Sequence, residues 1–170
     1  MMWTRAFVLA GKDIRLIALS GSGLAQALLL GLLLIFLFSL AQPSGIPVAP
    51  QWSAAIFWLA SCFSLVLIFN ALYALEEENE TRLALLLAPV SAQTIWLGKA
   101  LGGAFLLLCV QLVFVPAVFV FLGPETFSSW LIAAGLLLII DWGLVTLGSL
   151  LGALGQGQAG RDSLLTVVIF

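Results

Sequence analysis

The sequence predicts an all-α polytopic membrane protein, on three observations: a very apolar composition, four apolar runs long enough to cross a bilayer, and basic residues confined to alternate segments. Hydrophobic residues make up 63% of the 170 residues, charged residues make up 8%, and the mean hydropathy is +1.23. So few polar residues cannot cover a water-soluble globule, and lipid is therefore the expected solvent. The composition excludes a soluble enzyme and gives no basis for nucleic-acid binding.

The first predicted element is an amphipathic helix over residues 1–18 that lies at the membrane surface. Its apolar residues recur at spacings of four and three, which places them on one face: Trp3, Phe7, Ala10, Ile14 and Ile17. The basic residues of this segment lie away from that face. Two interpretations stay open, an elbow helix that moves with the spans of a transporter and a membrane anchor with no mechanical role.

Four apolar runs have the length of transmembrane helices, since about 20 residues at 1.5 Å per residue cross a hydrocarbon core of about 30 Å. We expect complete spans over about 21–41, 54–75, 100–122 and 130–151. A fifth run begins at Leu164, and seven residues remain through Phe170. That is about 10 Å of helix, so we expect this span to be truncated here.

The N-terminus also imitates a secretory signal peptide, because basic residues precede an apolar run and the small-residue sequence Ser39-Leu40-Ala41. The run from Leu24 to Leu40 is longer than the usual core of about 7 to 15 residues. Further apolar segments follow it in place of a soluble domain. We therefore predict an uncleaved first span.

The six basic residues predict the orientation of the spans. They all fall before the first span, between the second and third, or after the fourth: Arg5, Lys12, Arg15, Arg82, Lys99 and Arg161. The other loops, 42–53 and 123–129, have none. The positive-inside rule then places the N-terminus in the cytoplasm and leaves short outer loops.

The predicted cytoplasmic loop 76–99 begins with an acidic stretch, Glu76-Glu77-Glu78-Asn79-Glu80. Consecutive side chains on a helix point in different directions, and a calcium loop needs oxygen ligands at fixed turns with a glycine. We predict the solvated end of the second span here, with no metal site.

A short apolar helix face follows the acidic stretch. Its residues fall at helical spacing over a length far too short to span: Leu83, Leu86, Leu87 and Val90. Pro89 ends this helix, and Ser91 is positioned to cap the next one, which runs through Lys99 into the third span. Such a face needs a partner or the membrane surface.

This loop resembles the first cytoplasmic loop of ABC-2 type permeases. The resemblance rests on the acidic stretch, the Leu-rich turn and Pro89-Val90-Ser91, which precede Gly98-Lys99 at the start of a span. The resemblance implies a coupling helix that docks on a separate ATP-hydrolysing subunit and transmits its closure to the spans. The residues implied are Glu80, Thr81, Arg82, Leu83, Leu86, Leu87, Pro89, Val90 and Ser91.

Within that superfamily, the short outer loops, the beginning Met1-Met2-Trp3 and the element Leu85-Leu86-Leu87-Ala88-Pro89 resemble the haem exporter protein B family of cytochrome c maturation. The resemblance implies a six-span permease in a bacterial inner membrane, expected as a homodimer. Its implied partners are an ATP-binding subunit, a haem-handling membrane protein and a small membrane subunit. ATP would lie on the partner, and haem would belong to the pathway.

Two other functions stay open from the sequence. An ABC-2 type exporter of a lipid, drug or polysaccharide would need the same coupling loop. An ATP-independent transporter or a membrane scaffold would instead use Asp141, the one clear carboxylate inside a predicted span, as a proton or partner site. Such a residue costs about 2.5–3.5 kcal/mol in the membrane centre and should face protein or water.

The sequence predicts no catalytic, cofactor-binding or metal site on this chain. Gly155-Gln156-Gly157-Gln158-Ala159-Gly160 matches a dinucleotide fingerprint but follows a span instead of a strand, and it is predicted to form a cytoplasmic turn. There is no histidine, and Cys62 and Cys109 stand alone in apolar runs. Small residues at close spacing predict helix packing within the bundle: Gly98, Gly102, Gly103, Gly148 and Gly152.

Overall fold

The computed structural model describes residues 2–42, 48–78, 90–123 and 130–169, and the secondary structure there is entirely helical. This confirms the all-α prediction. The helices are α1 (Met2–Ser20), α2 (Ser22–Leu40), α3 (Pro50–Glu78), α4 (Ala92–Leu122) and α5 (Trp130–Ile169). Four segments have the length and composition of membrane spans: Gly23–Leu40, Pro50–Ala74, Ala92–Leu122 and Leu131–Ala153. The chain is a multi-pass membrane protein.

Gly21 separates the amphipathic helix α1 from the first span α2. Its φ of 64° lies in the left-handed region, which glycine adopts without the steric cost of a side chain. The Gly21 amide donates to the Ile17 carbonyl at 2.9 Å, which closes the last turn of α1. The chain can therefore change direction within one residue between the two helices.

The three spans α2, α3 and α4 form the centre of the bundle, where small residues of one helix face bulky side chains of another. A side chain at Gly31 on α2 would collide with the ring of Phe114 on α4. The Ser64 hydroxyl on α3 donates to the Ala27 carbonyl on α2 at 2.8 Å, which requires the two backbones to be close. These contacts replace the hydrophobic effect, which does not drive span association in lipid.

The predicted glycine packing is confirmed for both groups of glycines. A Cβ at Gly103 on α4 would lie 2.5 Å from the Phe69 ring, and one at Gly148 on α5 would lie 2.7 Å from the same ring. Gly152 faces the ring of Tyr73. Two aromatic side chains of α3 thus fill the space that the glycines of its neighbours leave open.

The prediction of a turn at residues 155–160 is wrong, because one helix runs from Trp130 to Ile169. No proline interrupts residues 154–169. Glycine costs a helix only about 1 kcal/mol per residue, so the backbone can continue its internal hydrogen bonds through this stretch. The forty-residue α5 is about 60 Å long, about twice the thickness of a hydrocarbon core.

The predicted cytoplasmic segment 76–99 is helical at both ends. Residues 76–78 continue α3, as expected for a span that extends beyond the headgroups, and residues 92–99 belong to α4, as expected for a helix that leads into the third span. Ser91 caps α4 as predicted: its backbone is extended, and its Oγ accepts from the Thr94 amide at 3.4 Å. Lys99 lies within this helix, as predicted for a helix that runs from Ser91 into the third span.

Candidate functional site

The first polar site is the Lys99 cluster, which we define as Asp13, Lys99, Tyr73 and the carbonyls of Leu72 and Ser149. The Lys99 ammonium lies 3.3 Å from Asp13 Oδ2, and it donates to the Leu72 carbonyl at 3.1 Å. It also lies 5.0 Å from the centre of the Tyr73 ring, within the range of a cation–π contact. One cation thus joins α1, α3 and α4.

The charges of this cluster are almost completely removed from solvent. The side chains of Lys99 and Asp13 are 3% and 5% exposed, whereas Lys12, which lies 3.1 Å from the other Asp13 oxygen, is 37% exposed. A buried ion pair adds little net stability compared with apolar residues, but removing one partner leaves a charge uncompensated. The pair therefore fixes where α1 sits on α4 more than it stabilises the fold.

Backbone packing brings α1 onto the first turns of α4 at the same place. A Cβ at Gly98 would lie 2.9 Å from Leu9 Cβ and 3.2 Å from the Ala6 carbonyl oxygen, and one at Gly102 would lie 3.8 Å from Ala10. The buried residues of α1 are Ala6, Ala10, Asp13 and Ile17. Small residues on both helices permit this close approach.

The predicted apolar face of α1 is confirmed only in part. Ala10 and Ile17 are buried and Ile14 is partly buried, but Trp3 and Phe7 are exposed on the protein. These two aromatic side chains instead face outward, where the headgroup region would surround them. The buried face is shifted around the helix because it packs against α4, where only small residues fit.

Tyr73 extends the Lys99 cluster to the fourth span. Its hydroxyl donates to the Ser149 carbonyl on α5 at 2.9 Å, and Ser149 itself is fully buried. The cluster therefore connects the amphipathic helix with three of the four spans.

The second polar site is the Asp141 trio, which we define as Ser61 on α3, Gln111 on α4 and Asp141 on α5. Gln111 Nε2 donates to Asp141 Oδ1 at 2.8 Å and to Ser61 Oγ at 3.3 Å. All three residues are at most 3% exposed. Gln111 comes twelve residues after Lys99 on α4, a rise of about 18 Å, so the trio lies deep within the spans.

On α5 the contacts with protein are confined to a narrow stripe that contains this carboxylate. Asp141, Val145 and Ser149 are buried at a spacing of four, whereas many other apolar side chains of the helix are exposed, among them Leu131 and Ile139. Asp141 thus faces protein, as its predicted cost in lipid requires.

Toward the predicted outer side, α3, α4 and α5 border a half-open apolar cavity of about 540 Å³. Its described lining includes Phe57, Trp58, Phe119 and Ile140, together with Ser53. Among the described residues, none that lines it carries a titratable side chain. The cavity has the apolar character expected of a space filled by hydrocarbon.

The predicted coupling residues Glu80, Thr81, Arg82, Leu83, Leu86, Leu87 and Pro89 lie outside the described residues. Of that set, the structure describes Val90, which is partly buried, and Ser91, which caps α4. Sequence reasoning singled out Asp141 but missed Asp13, Gln111 and Ser61. Two signals were available: Asp13 falls at helical spacing between Ala10 and Ile17, and Gln111 is a large polar residue within a span.

The chain matches the model of the family described as CcmB protein over residues 4–170. The match extends from the first turn of α1 to the end of the chain given. No curated protein and no solved structure matches the chain.

Proposed function

The chain belongs to the CcmB protein family, and we propose that it is the non-catalytic permease subunit through which a separate ATP-hydrolysing subunit acts in cytochrome c maturation. Family membership makes it a membrane component of a haem exporter or cytochrome c maturation system. The proposal adds that a partner chain hydrolyses ATP and that this chain undergoes the resulting movement.

The observation that carries the coupling role is the attachment of α1 and α3 to the first turns of α4. The segment 79–89 connects α3 to α4 in the chain, and α4 begins at Ala92, directly after its Ser91 cap. Lys99 is tied to Asp13 and to the Leu72 carbonyl two turns further on. A displacement of the segment would therefore move α4 together with α1 and α3.

In this proposal the apolar residues Leu83, Leu86, Leu87 and Val90 dock on the ATP-binding subunit, beside Glu80, Thr81 and Arg82. Docking covers the apolar face of this segment, whose exposure to water is unfavourable. The sequence has no phosphate-binding G-x-x-x-x-G-K-[ST] motif, which agrees with ATP being bound by the partner.

We further propose that haem is the cargo of the pathway and is held by another subunit. The chain has no histidine, its two cysteines lie separately on α3 and α4, and its methionines are Met1 and Met2. Histidine, the most common axial ligand of haem iron, is thus missing from the sequence given, and its cysteines and methionines form no ligand pair suited to an axial site. A haem-handling membrane protein and a small membrane subunit would complete the complex.

The proposed setting is a bacterial inner membrane, with a homodimer of this chain and the N-terminus in the cytoplasm. Two basic residues of α1, Arg5 and Arg15, are exposed on the protein, where anionic lipid headgroups could meet them. With this orientation the Lys99 cluster lies on the side of the membrane where ATP is available.

One observation favours a second candidate, an ATP-independent transporter. The Asp141 trio is a buried carboxylate site between three spans, and such sites mark proton or ion pathways in many membrane proteins. This candidate requires no ATPase partner, so one binding experiment separates the two.

The test is co-purification of the full-length protein with its ATPase subunit from detergent. We expect wild type to retain the ATPase, and the double variant Leu86→Glu/Leu87→Glu to lose it, because two buried carboxylates at the contact would be unpaired. The matched control is Leu85→Glu/Ala88→Glu, which adds the same charges on the opposite side of a helix and should retain binding. Retention by Leu86→Glu/Leu87→Glu would refute docking through this face.

A further inference from the structure

The hydrogen bonds of the Asp141 trio leave two buried oxygen atoms without a donor. The two N–H groups of the Gln111 amide are both used, one by Asp141 Oδ1 and one by Ser61 Oγ. Among the described residues, Gln111 Oε1 and Asp141 Oδ2 have no hydrogen-bond partner. Both atoms are acceptors when Asp141 is ionised, so neither can satisfy the other.

A single added proton gives both oxygen atoms a hydrogen-bond partner. A carboxylic acid carries one O–H donor, and an amide oxygen is an acceptor. If Asp141 Oδ2 carries a proton, it can donate to Gln111 Oε1 while Oδ1 continues to accept from Nε2. The acid and the amide then form a closed pair of two parallel hydrogen bonds, with the second amide N–H still directed to Ser61.

The charges around the trio also favour a neutral acid. α5 packs against α3 and α4, and the described titratable side chains there are Cys62 and Tyr73 on α3 and Lys99 and Cys109 on α4. The Lys99 ammonium is engaged with Asp13, and the backbone of Lys99 lies about 18 Å along α4 from that of Gln111. The thiols and the phenol carry no positive charge, so among the described side chains no cation offsets an ionised Asp141.

We propose that Asp141 and Gln111 form a proton-binding site within the membrane, in which neutral Asp141 donates from Oδ2 to Gln111 Oε1. The bound proton links α4 directly to α5, and through Ser61 it links both to α3. Loss of the proton leaves a carboxylate charge inside the bundle and breaks one of the two parallel bonds. The packing of α5 against its neighbours is therefore coupled to proton binding. This inference is independent of ATPase docking.

A spectroscopic test observes the proton directly. Infrared spectra of the full-length protein in lipid nanodiscs at neutral pH are compared for wild type and Asp141→Asn. We expect the difference spectrum to contain a carboxylic-acid C=O band from wild type that shifts in D₂O. In Gln111→Leu this band should move to higher frequency, since its C=O loses the N–H donor. A carboxylate band in place of the acid band would overturn the proposal.

A stability test uses two substitutions of similar size at the same position. Asp141→Asn can donate an amide N–H to Gln111 Oε1 and accept at Oδ1, so we expect it to keep the wild-type melting temperature and lose the wild-type decline at high pH. Asp141→Leu cannot pair with Gln111, and its melting temperature should fall. Equal losses in the two variants would overturn the proposal, as would a wild-type melting temperature that rises with sodium but not with choline at the same ionic strength and pH.

Discussion

Replacing Lys99 with methionine is expected to destabilise the protein by about 3–5 kcal/mol, because it leaves the buried Asp13 carboxylate without its buried cation. Methionine has about the length of the lysine stem, so packing changes little. The variant also removes the donor to the Leu72 carbonyl and the cation above the Tyr73 ring. Equilibrium unfolding in mixed detergent micelles measures the loss.

The same carboxylate provides the control for this experiment. Lys12 contacts Asp13 at 3.1 Å, close to the 3.3 Å of Lys99, but its side chain is 37% exposed. Lys12→Met should therefore cost less than about 1 kcal/mol. Replacing both buried charges, as in Asp13→Leu/Lys99→Met, should recover much of the stability lost in Lys99→Met. Similar losses in Lys12→Met and Lys99→Met would show that burial does not decide the effect.

Displacing α1 from α4 is expected to uncouple ATP hydrolysis from cytochrome c assembly while the ATPase remains bound. Gly98→Leu places a side chain where even a Cβ would lie 2.9 Å from Leu9 Cβ. Overpacking of this kind costs about 1–3 kcal/mol, which a stable bundle can tolerate. The amount of assembled cytochrome c in cells should fall about tenfold, a factor within the usual range of coupling between two sites.

The control is Gly135→Leu on α5, where nothing lies within 4 Å of an added Cβ. This substitution adds the same side chain to a span and should leave both ATPase binding and assembly near wild type. The comparison decides between the two interpretations of α1 that the sequence left open. If Gly98→Leu keeps wild-type assembly with α1 displaced, then α1 is an anchor without a mechanical role.

The spans and their packing could be predicted because they depend on local properties. The length and hydropathy of each run predicted α2 to α4 to within a few residues, apart from the extra helical turn at 50–53 and the turns at 92–99, which the Ser91 cap predicted instead. The Ser91 cap needed only a hydroxyl before a helical pattern. The close packing of Gly103, Gly148 and Gly152 followed from residue size and spacing.

The polar sites could be predicted only as single residues. The positive-inside rule counted Lys99 as a loop charge, because hydropathy does not reveal that a lysine near a span end pairs with Asp13 on a distant helix. Asp141 was identified by its cost in lipid, but its partners Gln111 and Ser61 depend on the rotation of three helices. The helix through residues 155–160 is not predicted from the sequence, because the glycines there favour a turn.

The central claim, that this chain is moved by an ATPase docked on its cytoplasmic segment, is tested most directly by site-specific photo-crosslinking in membranes. A photoreactive amino acid is placed at Leu87 in the docking segment and, as a control, at Gly45 in the predicted outer loop. We predict a crosslink from position 87 to the ATP-binding subunit that changes in yield when ATP is added, and none from position 45. Crosslinks from position 87 to lipid alone, with the ATPase present, would contradict the account.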